Sequence, residues 1–194
     1  MKPVAIIATA CVFALAFASQ AQAGPVSQTT AALTDKVKAA MKVSDDGFRD
    51  VYVRQVWMKI MGQRLAPIVP DSTRRHKLLL LVHGEAVEAG VPPALVLAII
   101  NVESDFKRWA VSTTGAQGLM QIMPFWLKVA GQPGDNLFNP RTNVRLGCTI
   151  LAYYLKQADG DITLALQSYY GRRYGTTYSD KVIRLLNSRW HWEH

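Results

Sequence analysis

Nowhere along its 194 residues does this chain alternate apolar and polar residues with the two-residue period of a half-buried strand, whereas apolar residues at helical spacing recur along it. The fold class that follows is mainly α. The length fits about one domain with a small extension, and 49% apolar residues are enough for a buried core. No repeat and no low-complexity tract interrupts the pattern.

The first 23 residues are set apart from the rest. Lys2 supplies a positive start, Val4 to Phe17 an apolar stretch, and Ala21, Gln22 and Ala23 the small-residue cleavage pattern before Gly24, which together read as an export signal. The apolar stretch is short for a bilayer-spanning helix of about 20 residues, so no stable membrane insertion is expected after cleavage. Removing the segment takes Lys2 and no acid, so the formal charge of +8 becomes +7. Outside the cytoplasm that charge suits an acidic envelope polymer rather than nucleic acid, and periplasm or cell envelope is the expected location. Cys11 leaves with the signal, and Cys148, alone in an oxidising compartment, is expected to be buried on a helix face. Four histidines without clustered cysteines give no reason to expect a zinc module.

Residues 24–41 are Ala-, Thr- and Gln-rich and read as a linker or a marginal helix. Val53, Val56, Trp57, Ile60 and Met61 then predict a helix within 48–65, ended by Pro67 and Pro70. Asp71 or Ser72 caps a second helix that stops at Gly90, and Pro92 and Pro93 open a third, running through 94–106. Residues 112–118 are turn-rich, 124–129 a short helix, and Asn139 and Pro140 open a long helix ending at Gly160. Residues 161–170 and 179–190 complete the helical set. The organisation is a signal peptide (1–23), an N-terminal linker and helical extension (24–70), and a main domain (71–194).

The third helix carries the main chemical clue. Glu103 follows the apolar run from Ala94 to Ile100, and Val96, Ile99 and Ile100 lie seven, four and three residues before it, on its own helical face. A carboxylate on an apolar face resists ionisation, which raises its pKa towards what a general acid needs near neutrality. The alternative is a Glu at the helix end paired with Lys107, four residues on. Asp105, two residues along, points well away from Glu103 and reads as a solvated acid. Trp57, Trp109 and Trp126 read by default as core packing, with stacking on a ligand ring as the alternative.

Glu103-Ser104-Asp105-Phe106, followed by Ala110 to Pro124 (AVSTTGAQGLMQIMP), resembles the catalytic domain of the soluble lytic transglycosylases, of the goose-type lysozyme-like superfamily. Asn143 to Leu155 is similar to that family's next helix, and Ala165 to Gly171 with Tyr178 and Val182 to its aromatic motif. The resemblance covers about 78–190. It implies a lysozyme-like helical domain with an N-terminal helical extension, exported to act on peptidoglycan without a cofactor. It further implies that Glu103 is the single catalytic carboxylate. Glu103 would protonate the oxygen between N-acetylmuramic acid and N-acetylglucosamine, then act as base on the muramic acid's C6 hydroxyl, which closes on C1 as a 1,6-anhydro product. A nucleophile tethered to the reacting sugar explains why one acid suffices, where hydrolysis usually needs a pair.

By the same resemblance, Ser112, Gln121, Met123 and Tyr169 are substrate-binding positions, with the Tyr169 hydroxyl close to the acid, where it can orient the carboxyl or the substrate. One departure stands out: after that tyrosine the family usually has Asn, and this chain has Tyr170. Two other readings fit the sequence: a lysozyme-like hydrolase, and a non-catalytic peptidoglycan-binding accessory of an envelope-spanning secretion complex.

Overall fold

The computed structural model describes residues 51–130, 134–171 and 175–192. The expected signal peptide (1–23) and the expected linker (24–41) lie outside them. The described residues form seven helices and no strand: α1 Val51–Leu65, α2 Ser72–Ala89, α3 Pro93–Ser104, α4 Phe125–Ala130, α5 Pro140–Gln157, α6 Ile162–Tyr170 and α7 Thr177–Ser188. The chain is mainly α, as the periodicity implies. No single helix among the described residues is long and apolar enough to cross a membrane.

The helix starts follow from short polar side chains that accept orphaned N–H groups. The Asp71 carboxylate accepts from Arg74 N ahead of α2, the Asn139 amide from Arg141 N ahead of α5, and the Asp161 carboxylate from Leu164 N ahead of α6. Pro93 and Pro140 occupy first-turn positions where a missing N–H costs nothing.

α3 is the central element. Every residue from Ala94 to Ile100 is buried, so the helix is enclosed on all sides, and α2 and α7 pack against it. Each Leu, Ile or Val buried in this way stabilises the fold by roughly 1.5–3 kcal/mol. α5 packs on α2 and on α6, and α6 on α7. α1 lays Trp57, Met61 and Leu65, one helical stripe, into the same core, while Val53 and Val56 face solvent. α1 thus packs into the same core as α2.

A buried ion pair ties α2 to α5. Glu85 receives two bonds from the Arg145 guanidinium, at 2.9 and 3.2 Å, and one from Arg141 at 3.3 Å. Cys148 is fully buried on α5, as expected, and burial pushes its thiol pKa well above the usual range.

Three helices depart from the sequence expectation in ways that matter to the packing. α3 stops at Ser104 rather than Phe106, because Asp105 and Phe106 are both left-handed, with φ of 48° and 60°. That reversal turns the Phe106 ring inward against Trp190, 5.6 Å away, and lets the Ser104 hydroxyl donate to the Leu119 carbonyl at 2.8 Å. α5 ends at Gln157, with Asp159 and Gly160 left-handed beyond it. α7 lies two residues earlier than expected, and Trp190 falls outside it, buried, with its indole N–H on the Asn101 side chain.

Candidate active site

Glu103 occupies the last turn of α3, at the negative end of the helix dipole, where a carboxylate is least welcome. Burial raises its pKa from 4.5 to about 7, against an opposing hydrogen bond from Tyr178. The Tyr178 hydroxyl donates to Glu103 Oε1 at 2.7 Å across 75 residues of sequence. The side chain therefore turns inward, and the alternative of a solvent-facing ion pair with Lys107 is set aside. Asp105, at the left-handed cap, is exposed and accepts from the Asn101 amide at 3.1 Å, apart from the Glu103 contacts.

Residues 110–123 form a tight, hydrogen-bonded loop beside the end of α3. Gln117 and Ile122 exchange two backbone bonds, and the Gly118 N–H reaches the Ala110 carbonyl at 2.9 Å. Gly118 is left-handed (φ 78°), and a Cβ there would collide with the Asn143 side chain and the Leu137 carbonyl. The buried Asn143 side chain holds the loop from α5. Its oxygen accepts from Met120 N at 2.8 Å, and its nitrogen donates to the carbonyls of Gln117 and Leu137 at 2.8 and 2.9 Å.

The four other predicted site residues divide by what their polar atoms already do. The Tyr169 hydroxyl donates to the Met120 carbonyl at 3.0 Å, so it anchors the loop and does not hold the carboxyl. It nonetheless lies within the electrostatic reach of Glu103, whose charge, after burial, pushes the phenol pKa well up. Ser112 contacts the Thr114 hydroxyl at 2.9 Å and accepts from Ala116 N at 3.0 Å, bracing its own turn. Gln121, left-handed at φ 50°, donates from its amide to the carbonyls of Ala110 and Gly118. Met123 is exposed at the loop's end. One loop thus carries Ser112, Gln121 and Met123, and Tyr169 fastens it from α6.

The residue that sequence reasoning missed is Tyr178. It stood within the aromatic motif of the resemblance but carried no role there, because nothing local to Glu103 reveals a partner 75 residues away. Burial is the first cause of its strongly raised phenol pKa, followed by the charge of Glu103. The Tyr170 ring stacks on it with centroids 4.3 Å apart and planes 6° apart.

A groove of about 870 Å³ lies along α2 and residues 106–110 and is bordered by Leu119 of the loop. Leu78, Leu81 and Phe106 line it, together with the cations Arg74, Lys77, Lys107 and Arg108 and one carboxylate, Asp71. Trp109, expected in the core, stands at its edge 64% exposed, with the Arg108 guanidinium 4.2 Å from its ring centre. Trp57 is buried and Trp126 partly so. Among the described residues no three His, Cys, Asp or Glu side chains converge on a metal-sized site.

Comparison with known proteins gives a family match over residues 81–179, to the transglycosylase SLT domain. A membrane-bound lytic murein transglycosylase C of Photorhabdus laumondii is 32% identical over 151 residues, covering 70% of this chain and 41% of that protein. Its namesake in Yersinia pestis is 36% identical over 137 residues, covering 62% and 37%. The chain thus spans about two fifths of the length of the curated relatives it matches. A solved structure, an inactive mutant of the lytic transglycosylase Slt from Pseudomonas aeruginosa, aligns with 32% identity over 46% of this chain and 16% of that one, at a TM-score of 0.42.

Proposed function

Because the chain belongs to the transglycosylase SLT domain family, we propose that it is an exported peptidoglycan lytic transglycosylase that cleaves the bond between N-acetylmuramic acid and N-acetylglucosamine, with Glu103 as acid and then base. The observation that carries this reading is the Glu103 carboxyl, pushed up to about 7 by burial and held by one uncharged donor. At neutral pH such a group is in part protonated, and its oxygen can lend a proton to a leaving sugar.

The steps balance on a single residue. Glu103 gives its proton to the glycosidic oxygen as the bond to muramic C1 breaks. The C6 hydroxyl of the same sugar then bonds to C1, and its proton passes to the Glu103 carboxylate, which regenerates the acid. No water is consumed and no second carboxylate is needed. That economy matches the electrostatics, because among the described residues the influences on Glu103 are burial and the Tyr178 bond, with no neighbouring carboxylate. A hydrolase normally uses a second carboxylate, either as nucleophile at about 5–5.5 Å or as the base for water at about 6.5–9.5 Å.

In this reading the 110–123 loop presents Ser112, Gln121 and Met123 to the glycan, and Tyr169 keeps that loop against the acid. The cationic groove suits the carboxylates of peptide stems on the same polymer. Residues 1–23 direct export, residues 71–194 form the catalytic domain, and the protein works in the periplasm or cell envelope. The lytic murein transglycosylase C relatives, membrane-bound by name, support an envelope setting.

The test is product analysis on purified sacculi. The wild-type protein should release muropeptides ending in 1,6-anhydromuramic acid, and Glu103→Gln should release none. Reducing ends would assign a muramidase. Equal release by wild type and Glu103→Gln would remove Glu103 from the chemistry, and no release by either would leave a wall-binding accessory.

A further inference from the structure

We propose that Tyr170 is a positioning residue for the Glu103 carboxyl, acting through the Tyr178 ring on which it stacks; this rests on Glu103 being the acid. Tyr178 is the side chain that fixes the carboxyl, by a bond of 2.7 Å to one oxygen. It sits in the first turn of α7, a helix whose preceding residue, Thr176, makes no side-chain capping bond. A ring in that position needs lateral packing to stay in place, since the first turn of an uncapped helix is its least secure part. Tyr170, the last residue of α6, supplies that packing as a parallel plate at 4.3 Å. Close parallel aromatic pairs attract beyond the area they bury.

The geometry separates the two rings by task. Tyr178 is 5% exposed and spends its hydroxyl on the carboxyl, while Tyr170 is 48% exposed and covers the face of its neighbour. A smaller or non-planar side chain at 170 uncovers that face and frees the Tyr178 ring to tilt. The bond to Glu103 then lengthens, and the carboxyl loses both its orientation and the interaction that favours its ionised form.

Among the described residues, few titratable groups lie around the carboxyl. Tyr178 faces it from α7 and Tyr169 from α6, with Cys148 and Tyr154 of α5 behind Tyr169. Burial raises the pKa of Tyr178, Tyr169 and Cys148 well above the usual ranges. None of these three therefore titrates near neutrality, and a change in the upper limb of the pH profile reports on Glu103.

The test compares wild type with Tyr170→Phe, Tyr170→Leu and Tyr170→Asn in the full exported chain. Tyr170→Asn and Tyr170→Leu should lower kcat about two- to tenfold, the range equivalent to the worth of an aromatic pair, with KM unchanged. Both should move the upper limb of the pH–rate profile to higher pH, and Tyr170→Phe should restore the wild-type limb. A carbon-13 NMR titration of the Glu103 carboxyl should show the same upward move without any substrate.

Wild-type kcat and titration in all the variants would overturn the proposal. A raised KM with an unchanged limb would assign the ring to sugar contact instead, and equal damage by Tyr170→Phe and Tyr170→Asn would assign the role to the hydroxyl. Thermal melting identifies a variant that fails to fold, in which case the other non-aromatic variant carries the comparison. If Glu103→Gln solubilises sacculi as well as wild type, the acid assignment fails, while the NMR titration still decides whether Tyr170 acts on that carboxyl.

Discussion

Replacing Glu103 with Gln should stabilise the protein at pH 8 and leave its stability at pH 4 unchanged. The carboxyl titrates at 4.5 when unperturbed and at about 7 in the fold, because burial outweighs the bond from Tyr178. Between those values the folded chain keeps a proton that the unfolded chain has released. The stabilisation is therefore fully present below about 4.5 and is lost as pH rises through about 7. At about 1.4 kcal/mol for each factor of ten, the interval from 4.5 to about 7 corresponds to roughly 3 kcal/mol against the fold once Glu103 is ionised. Glutamine is neutral throughout and still offers Tyr178 a carbonyl acceptor, so it avoids this cost.

Water reaches part of the Glu103 side chain, which makes that value a ceiling. For a domain of this size, roughly 3 kcal/mol raises Tm by about 6–12 °C. Thermal unfolding of wild type and Glu103→Gln by circular dichroism at pH 4, 6 and 8 measures it. The gap should be absent at pH 4, open through pH 6 and be largest at pH 8. An equal gap at pH 4 and pH 8, or a Gln variant less stable than wild type at pH 8, refutes the assignment of a buried carboxyl with a raised pKa.

Glu85→Ala should cost about 3–5 kcal/mol in chemical denaturation, because it removes the carboxylate bonded to the buried Arg145 guanidinium, and a Glu85→Leu, Arg145→Met double variant should recover much of it. Asn143→Ala removes three hydrogen bonds that hold Met120, Gln117 and Leu137, and should cost about 3 kcal/mol or more while lowering kcat through the displaced loop. Gly147→Val should destabilise by about 1–3 kcal/mol, read from the denaturation midpoint, because even a Cβ at 147 meets the Met120 side chain. Cys148 should resist iodoacetamide in the folded protein and be alkylated in guanidinium, as mapped by mass spectrometry, since it is buried with a raised thiol pKa.

The helices were legible because their signals are local. Asp71, Asn139 and Asp161 are capping residues by type, and the structure uses each in that way. The register of Glu103 on the face of Val96, Ile99 and Ile100 needed only the helical period, and all three neighbours are buried. What escaped was non-local or opposed to propensity. Asp105 and Phe106 continue a helical pattern in sequence, yet both are left-handed and Phe106 packs on the distant Trp190, a contact that no local pattern reveals. The apolar type of Val53 and Val56 did not say that only one stripe of α1 meets the core. For Ser112, Gln121 and Tyr169 the sequence indicated polar groups near a site. Their nearest polar partners turn out to be the backbone and the Thr114 hydroxyl of one loop, which residue type alone does not reveal.

The identity of the partner at Glu103 decides whether the carboxyl can serve as an acid at all. An Arg or Lys within about 4 Å would favour the ionised form and pull the pKa down, leaving no proton to lend at neutral pH. A wholly apolar surround would keep the proton but leave the carboxyl without a fixed orientation and make its ionised form, required in the second half of the cycle, still more costly. A phenol whose own pKa is pushed well up lies between these limits. It stays neutral and donates to the carboxyl whether or not Glu103 is ionised, so one contact serves both the proton-giving and the proton-taking form. The Tyr178→Phe variant isolates that contact with the ring and its stack retained. Its Glu103 titration should lie above that of wild type, so the carboxyl becomes a weaker acid and activity should fall at the first, proton-giving step. A titration at or below the wild-type position would mean that the hydroxyl does not favour the ionised form, and that burial alone governs the acid.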